Sequence, residues 1–331
     1  MKKVCLQIAC ISALAMVLSG CFLQLVGAPG GTFASANIPS CAEGVTCTNA
    51  EMKDTTFNET FTASPSAGFK FLHWKSGGRY LFGCNTATTI NLSTATWAGT
   101  PLEAFFTKPE QFSMSPMFRS IGAKVFYTTD FECNNASAAT LGDDWNAYVN
   151  IFQADGSTFV GGYGIPGGAP NGSQISALTT KQGGAAQESR QLNVFSNYDS
   201  DFNGDGLEHA VGQQVQVLVF QEYTLLPGSA GTYTFTFDAK KPLTAGVAAP
   251  STAIAFVKVL DPANNYQPMG PVVSFDSTTL TSVWSTHTLT FTITSAMANK
   301  RLQFGFQNTA TDYNPSGVIY DNLVFREIPS T

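Results

Sequence analysis

Apolar and polar residues alternate in short runs along most of this chain: Val215, Val217 and Val219; Tyr233, Phe235 and Phe237; Ile254 and Phe256; Leu289, Phe291 and Ile293; Leu302, Phe304 and Phe306. Thr, Gln and Ser fill many of the intervening positions. A period of two predicts strands with one buried face, and turn residues between the runs predict antiparallel connections. From about Lys124 to Glu327 the runs are long and no helical period of useful length interrupts them. So much strand in one unit predicts a β-sandwich of jelly-roll type. From Cys41 to about Phe118 the runs are shorter, Phe57 with Phe61, Phe69 with Phe71 and Leu102 with Phe105, separated by Ser-Pro-Ser, Ser-Gly-Gly and Gly-Thr-Pro. The expectation is an all-β protein, with a small N-terminal β module over residues 41–120 and a C-terminal β-sandwich over residues 124–331.

The first forty residues depart from this pattern. Lys2 and Lys3 precede an apolar run, Val4 to Val17, that is too short for an ordinary membrane span and ends in small residues, as a secretory signal does. Leu18-Ser19-Gly20-Cys21 resembles the lipobox of bacterial lipoproteins. The resemblance implies removal of residues 1–20, diacylation of the Cys21 thiol and a stable hold on a membrane through two or three acyl chains. Phe22 stands where an aspartate would resemble the inner-membrane retention signal, so the resemblance implies an outer-membrane lipoprotein, on the cell surface or the periplasmic face. Residues 21–40, rich in Gly, Ala, Pro and Ser, read as a flexible tether.

Charge removes one class of partner. With Lys and Arg at 17, Asp and Glu at 23 and a formal net charge of -6, a basic face for nucleic acid is not expected. Cysteine usage fits an oxidising compartment. If Cys5 and Cys10 leave with the signal and Cys21 is lipidated, Cys41, Cys47, Cys84 and Cys133 remain as an even set, which predicts two disulfides. Of the possible pairings, Cys41 with Cys47 as a local loop and Cys84 with Cys133 as a staple between regions is favoured. No C-x-x-C pair suggests thiolate metal binding.

Within the N-terminal module, Ala63-Ser-Pro-Ser-Ala-Gly-Phe-Lys-Phe-Leu-His-Trp74 resembles the core motif of divergent internalin-type repeats, with Ser115-Pro116-Met117-Phe118 where their closing strand ends. The resemblance implies a small β module used as spacer or adhesion unit, with Trp74 as its core plug. The stretch from Gly83 to Gln111 is longer than such a repeat. In the C-terminal region, Thr129-Asp130-Phe131-Glu132, Gly231-Thr-Tyr-Thr-Phe-Thr-Phe-Asp-Ala-Lys240, the strand beginning Trp284-Ser-Thr-His287, and Val318-Ile-Tyr-Asp321-Asn-Leu-Val-Phe325 resemble, in order, the jelly-roll carbohydrate-binding modules and related galactose-binding-like domains. That resemblance implies a polysaccharide or glycan partner. It also implies a structural calcium ion where opening and closing strands meet, held partly by Glu132 and Asp321.

The residues offer further candidates. Asp199, Asp201, Asn203 and Asp205 alternate through a loop with Gly204 and Gly206, an arrangement that turns several oxygens towards a hard cation such as calcium. Ala210 occupies the twelfth position in place of a bidentate glutamate, so Glu208 or a distant oxygen would complete the shell. For stacking on a sugar ring beside amides and carboxylates, the candidates are Trp145 and Tyr148 in Asp143-Asp-Trp-Asn-Ala-Tyr148, then Tyr163, Tyr198 and Tyr313. Trp284 reads as core by alternation. The three histidines, His73, His209 and His287, are scattered and no Gly-x-Ser-x-Gly elbow occurs, so no catalytic residue is expected. The function expected is non-catalytic glycan binding by a calcium-stabilised surface lipoprotein. The alternative is an adhesive or structural protein with protein partners or self-association, marked by an exposed apolar patch.

Overall fold

A computed structural model describes residues 21–43, 45–52, 54–77, 83–107, 111–134, 141–165, 176–196, 212–243, 247, 251–311 and 315–329. Two β assemblies follow one another along the chain. The first comprises β1 (Cys21–Val26), β2 (Gly31–Ala34), β3 (Thr46–Met52), β4 (Asn58–Pro65), β5 (Phe69–Gly77), β6 (Thr89–Ser93) and β7 (Gln111–Ser120). They form a four-stranded sheet in the order β3-β1-β7-β5 and a three-stranded sheet in the order β2-β4-β6. Leu23, Leu25, Phe33, Phe61, Trp74, Trp97 and Phe118 fill the space between them. Trp74 is fully buried, with Phe33 edge-on at 5.7 Å and its indole N–H donated to the Ala87 carbonyl. Between Gly83 and Gln111, two short 3-10 helices, Thr94–Trp97 and Pro101–Thr107, bring Trp97 onto Phe106.

The tether expected over residues 21–40 is corrected by this arrangement. β1 is an inner strand, antiparallel to β3 and parallel to β7, and its Leu23 and Leu25 are buried. The glycines that suggested flexibility are positions of close approach. A Cβ on Gly27 would lie 1.9 Å from the Ala42 carbonyl oxygen, and one on Gly31 would meet the Phe118 ring at 2.5 Å.

The second assembly comprises β8 (Tyr127–Thr129), β9 (Asn146–Phe152), β10 (Phe159–Ile165), β11 (Ser176–Thr180), β12 (Arg190–Val194), β13 (Gln214–Thr224), β14 (Gly231–Lys240), β15 (Thr252–Asp261), β16 (Gln267–Pro268), β17 (Val273–Asp276), β18 (Ser285–Ile293), β19 (Arg301–Thr311) and β20 (Val318–Glu327). They make a two-sheet antiparallel sandwich of jelly-roll type. One sheet runs β10-β9-β13-β19-β15-β16, with β17 also on β15; the other runs β11-β12-β20-β14-β18, with β8 on β20. Tyr233, Phe235, Phe237, Phe304, Phe306, Tyr320 and Phe325 are all 0% exposed between the sheets. Each such side chain contributes on the order of 1.5–3 kcal/mol. One strand is out of phase with expectation: in β15, Ala253, Ala255, Val257 and Val259 face this core, and Ile254 and Phe256 face outward.

Among the contacts that join the assemblies are a disulfide and two ion pairs. Cys84 and Cys133 form the expected staple, with their Cα atoms 4.9 Å apart. Cys41 is also disulfide-bonded, and the side chain of Cys47 lies outside the described residues. Arg119 of β7, 9% exposed, donates to Asp144 Oδ2 at 2.6 Å and Gln221 Oε1 at 3.3 Å, with the Tyr223 ring 5.0 Å away. Lys75 of β5 pairs with Asp130.

Candidate functional site

The sandwich turns Trp145 inward. Gly142, Asp143 and Asp144 all have positive φ, a tight turn closed by the Trp145 N–H on the Gly142 carbonyl. Trp145 is 0% exposed, parallel to Phe306 and edge-on to Tyr127. The expectation that it touches ligand is therefore corrected: it is a core residue, and a ring of this size gains more from burial than from a solvent-facing position. Trp284 is corrected in the opposite sense. It is half-buried at the sheet margin, donates to the Gln182 carbonyl, and lies 5.1 Å from the Lys240 ammonium.

Tyr148 alone among the proposed stacking aromatics is described and exposed, at 42%. On β9, Ala147, Val149 and Ile151 point into the core, so Asn146, Tyr148 and Asn150 point outward. Register then carries a row across the sheet: Gly164 on β10, Tyr148, Leu218 on β13, Gln307 on β19, Ile254 on β15 and Asp276 on β17. The next row is Gly162, Asn150, Gln216, Thr309 and Thr252. Asn150 donates to Gln216 at 2.9 Å. Two glycines make room for the ring: a Cβ on Gly164 would come within 2.8 Å of it and one on Gly162 within 3.3 Å. The Tyr148 ring thus lies against β10 at both glycines while the residue stays 42% exposed. Leu218, Phe220 and Phe256 form the apolar floor of the same face. Lys258, 4.7 Å from the Phe256 ring, has its ammonium pulled down to about 8 by burial.

Tyr163 falls on β10 with its side chain outside the described residues; Tyr198, Tyr313 and the whole loop of Asp199, Asp201, Asn203 and Asp205 also lie outside them. The other expected cation ligands are described. Glu132 Oε1 accepts from the Ser189 and Arg190 N–H groups, and Oε2 accepts from the Ser189 hydroxyl. Asp321 is fully buried; Oδ1 accepts from the Asn322 N–H and Oδ2 has no hydrogen-bond partner. Burial first, then the charges of Asp130, Glu132 and Asp238, push its carboxyl up to about 9. Among the described residues no three acidic, His or Cys side chains converge as a metal shell. Glu132 and Asp321 share a junction, and Asp130 beside them is ion-paired with Lys75 at 2.5 Å.

Two constellations resemble catalytic ones. Ser285 Oγ lies 2.8 Å from His287 Nε2 on β18. The nearby acid, Asp238, pairs in register with Thr286 and accepts from its hydroxyl, which puts it on the opposite face of the sheet from Ser285 and His287. Asp238 is therefore not placed as the third member of a Ser-His-Asp relay with this pair. A cleft of about 370 Å³ at the junction of the two assemblies is lined by Lys70, His73, Arg119, Asp130, Asp143 and Asp144, among others. Asp130 and Asp144 are ion-paired with Lys75 and Arg119 there. Asp143 is pushed up to about 6, chiefly by burial and secondarily by Asp144, against the pull of Arg119.

No family model matches the chain, and no curated protein matches it. Among solved structures, a carbohydrate-binding module described under promiscuous specificity in the β-sandwich superfamily aligns over 91% of this chain and 98% of its own, at 15% identity and a TM-score of 0.33. The CBM22-2 xylan-binding domain of Xyn10C from Paenibacillus barcinonensis aligns over 61% of this chain and 99% of its own, at 11% identity and a TM-score of 0.34. The enzymatically active domain of tailspike protein 4 from bacteriophage CBA120 aligns over 59% of this chain, which spans only 21% of that one, at 12% identity and a TM-score of 0.33. These likenesses are too slight to carry a ligand or an activity to this chain.

Proposed function

We propose that this protein binds glycans without transforming them, on the outer face of the seven-stranded sheet. The observation that carries this reading is the Tyr148 row: an exposed aromatic ring packed against Gly162 and Gly164, on the same sheet face as the side-chain amides of Asn150, Gln216 and Gln307. A ring face stacks on the apolar side of a pyranose, and amides both donate to and accept from its hydroxyls. A sheet holds these groups on rigid, paired backbone, which limits the ordering cost of binding. Anchoring of the chain to an outer membrane through Cys21 belongs to the same reading, on the strength of Leu18-Ser19-Gly20-Cys21. Because β1 begins at Cys21, acyl chains there would hold the first assembly directly against the bilayer. Structural calcium belongs to it through the Asp199–Asp205 loop.

The test is affinity electrophoresis of the full chain in gels containing neutral polysaccharides. Retardation that Tyr148→Ala abolishes and Trp145→Phe preserves supports the reading. Migration unaffected by every polysaccharide, or retardation indifferent to Tyr148, refutes it.

A further inference from the structure

The opening and closing segments of the sandwich gather Asp130, Glu132, Asp238 and Asp321, which are 9%, 5%, 9% and 0% exposed. Carboxylates removed from water need partners. Asp238 finds them in Gln187, Thr286 and Asn322, and Glu132 in Ser189 and Arg190. Asp321 Oδ2 finds none. Besides the sandwich's own Arg190, whose guanidinium donates to the Glu132 carbonyl, a cation enters this region from the other assembly. Along β5, Trp74 points into the N-terminal core and its neighbour Lys75 to the opposite face, where its Nζ lies 2.5 Å from Asp130 Oδ2. Burial pulls the Lys75 ammonium down, but Asp130 outweighs that, with further help from Glu188 and Asp321, and holds it above its usual value. The placement is fixed twice over: β5 is laddered to β7, which leads through Ser120 and Phe126 into β8, and the Cys84–Cys133 bridge closes next to Glu132.

We propose that Lys75 is a built-in counter-ion for Asp130 at the junction that also holds Glu132 and Asp321, an ammonium lent by the N-terminal assembly that does there what a bound divalent cation would do. The sandwich is then electrostatically complete only with its neighbour docked, and the two assemblies act as one folding unit. This inference is independent of the glycan reading. It is tested by thermal unfolding of the full chain as wild type, Lys75→Met, Asp130→Asn and the double variant, each in a chelator and in calcium chloride. The expected result in chelator is a lower midpoint for Lys75→Met, with most of the loss recovered when Asp130→Asn is added. Calcium is expected to raise the Lys75→Met midpoint more than the wild-type midpoint, since the vacated position accepts the ion. Equal midpoints for Lys75→Met and wild type in chelator, losses that simply add in the double variant, or equal calcium shifts would each overturn the proposal. Where Lys75→Met gives no folded chain, Asp130→Asn is expected to restore folding to it and Lys75→Arg to match wild type; failure of both overturns it as well.

Discussion

Replacing Cys84 and Cys133 together by serine removes the covalent link between the assemblies and leaves the Cys41 disulfide in place. The bridge spans a sequence separation of 49. Loop-closure entropy for a ring of that size, multiplied by temperature, corresponds to about 4 kcal/mol of stability withdrawn from the unfolded chain. That is a large share of the roughly 5–15 kcal/mol by which domains are stable. The structure bears on whether the full amount appears. Arg119 with Asp144 and Gln221, and Lys75 with Asp130, hold the same junction in the folded state, so its geometry does not depend on the bridge and the loss falls on the unfolded side. The assay is equilibrium urea unfolding of the double serine variant and the wild type, followed by tryptophan fluorescence, since Trp74 and Trp97 report on one assembly and Trp145 on the other. The expected outcome is one shared transition for both reporters, moved to lower urea by a loss near 4 kcal/mol. A loss under about 1 kcal/mol would refute the entropic reasoning. Two separate transitions in the wild type would refute the claim that the assemblies unfold together.

Trp145→Ala opens a cavity beside Phe306, Tyr127 and Phe131 and is expected to cost about 3–5 kcal/mol in urea unfolding, whereas Trp145→Phe keeps the fold and leaves any glycan affinity unchanged. Asp143 makes stability depend on pH. Its folded pKa of about 6 lies above the ordinary aspartate value of 3.8, so its contribution is fully present below that lower value and is lost as pH rises through about 6. A displacement of that size is worth on the order of 2–3 kcal/mol. Asp143→Asn is expected to remove this fall, read as the difference between variant and wild-type stability from pH 4 to pH 7, so that Asp155 and other carboxylates of lowered pKa cancel. The same profile in both proteins would refute the assignment.

Much of the architecture is legible in the sequence, for a plain reason. Alternation in Val215–Val219, Tyr233–Phe237, Leu289–Ile293 and Leu302–Phe306 is the direct imprint of a sheet with one face in the core, and each of these residues is buried there. The Cys84–Cys133 pairing was one of three that an even cysteine set left open, and the buried Trp74 followed from the resemblance of its segment to internalin-type repeats. β1 escaped because Leu23 and Leu25 give only two inward residues before Gly27, and a strand that short is legible only through its neighbours β3 and β7. In β15 the larger side chains suggested the wrong face: small Ala253 and Ala255 pack inward against the crowded aromatics of β14 and β19, and Phe256 is left outside. Trp145 misled because composition beside Asp143 and Asp144 resembles a sugar site, and nothing in the local sequence shows that the turn inverts the ring. The Tyr148 row could not be read in advance at all. Its members come from residues 148, 164, 218, 254 and 307, and only strand pairing across the sheet makes them neighbours. Lys75 is a similar case, since its partners belong to a different assembly.

The measurement that bears most directly on the account is a glycan array probed with the full chain, followed by calorimetric titration of the best saccharide into wild type and Tyr148→Ala. The 42% of the tyrosine left exposed is the area a sugar ring can cover. At about 25 cal/mol per Å² over roughly 80 Å², its removal costs about 2 kcal/mol, or roughly 30-fold in Kd. Saccharide binding weakened by that order in Tyr148→Ala, with the fold intact, is the result the account predicts. Binding of equal strength in the two proteins, or no saccharide bound at all, would contradict it.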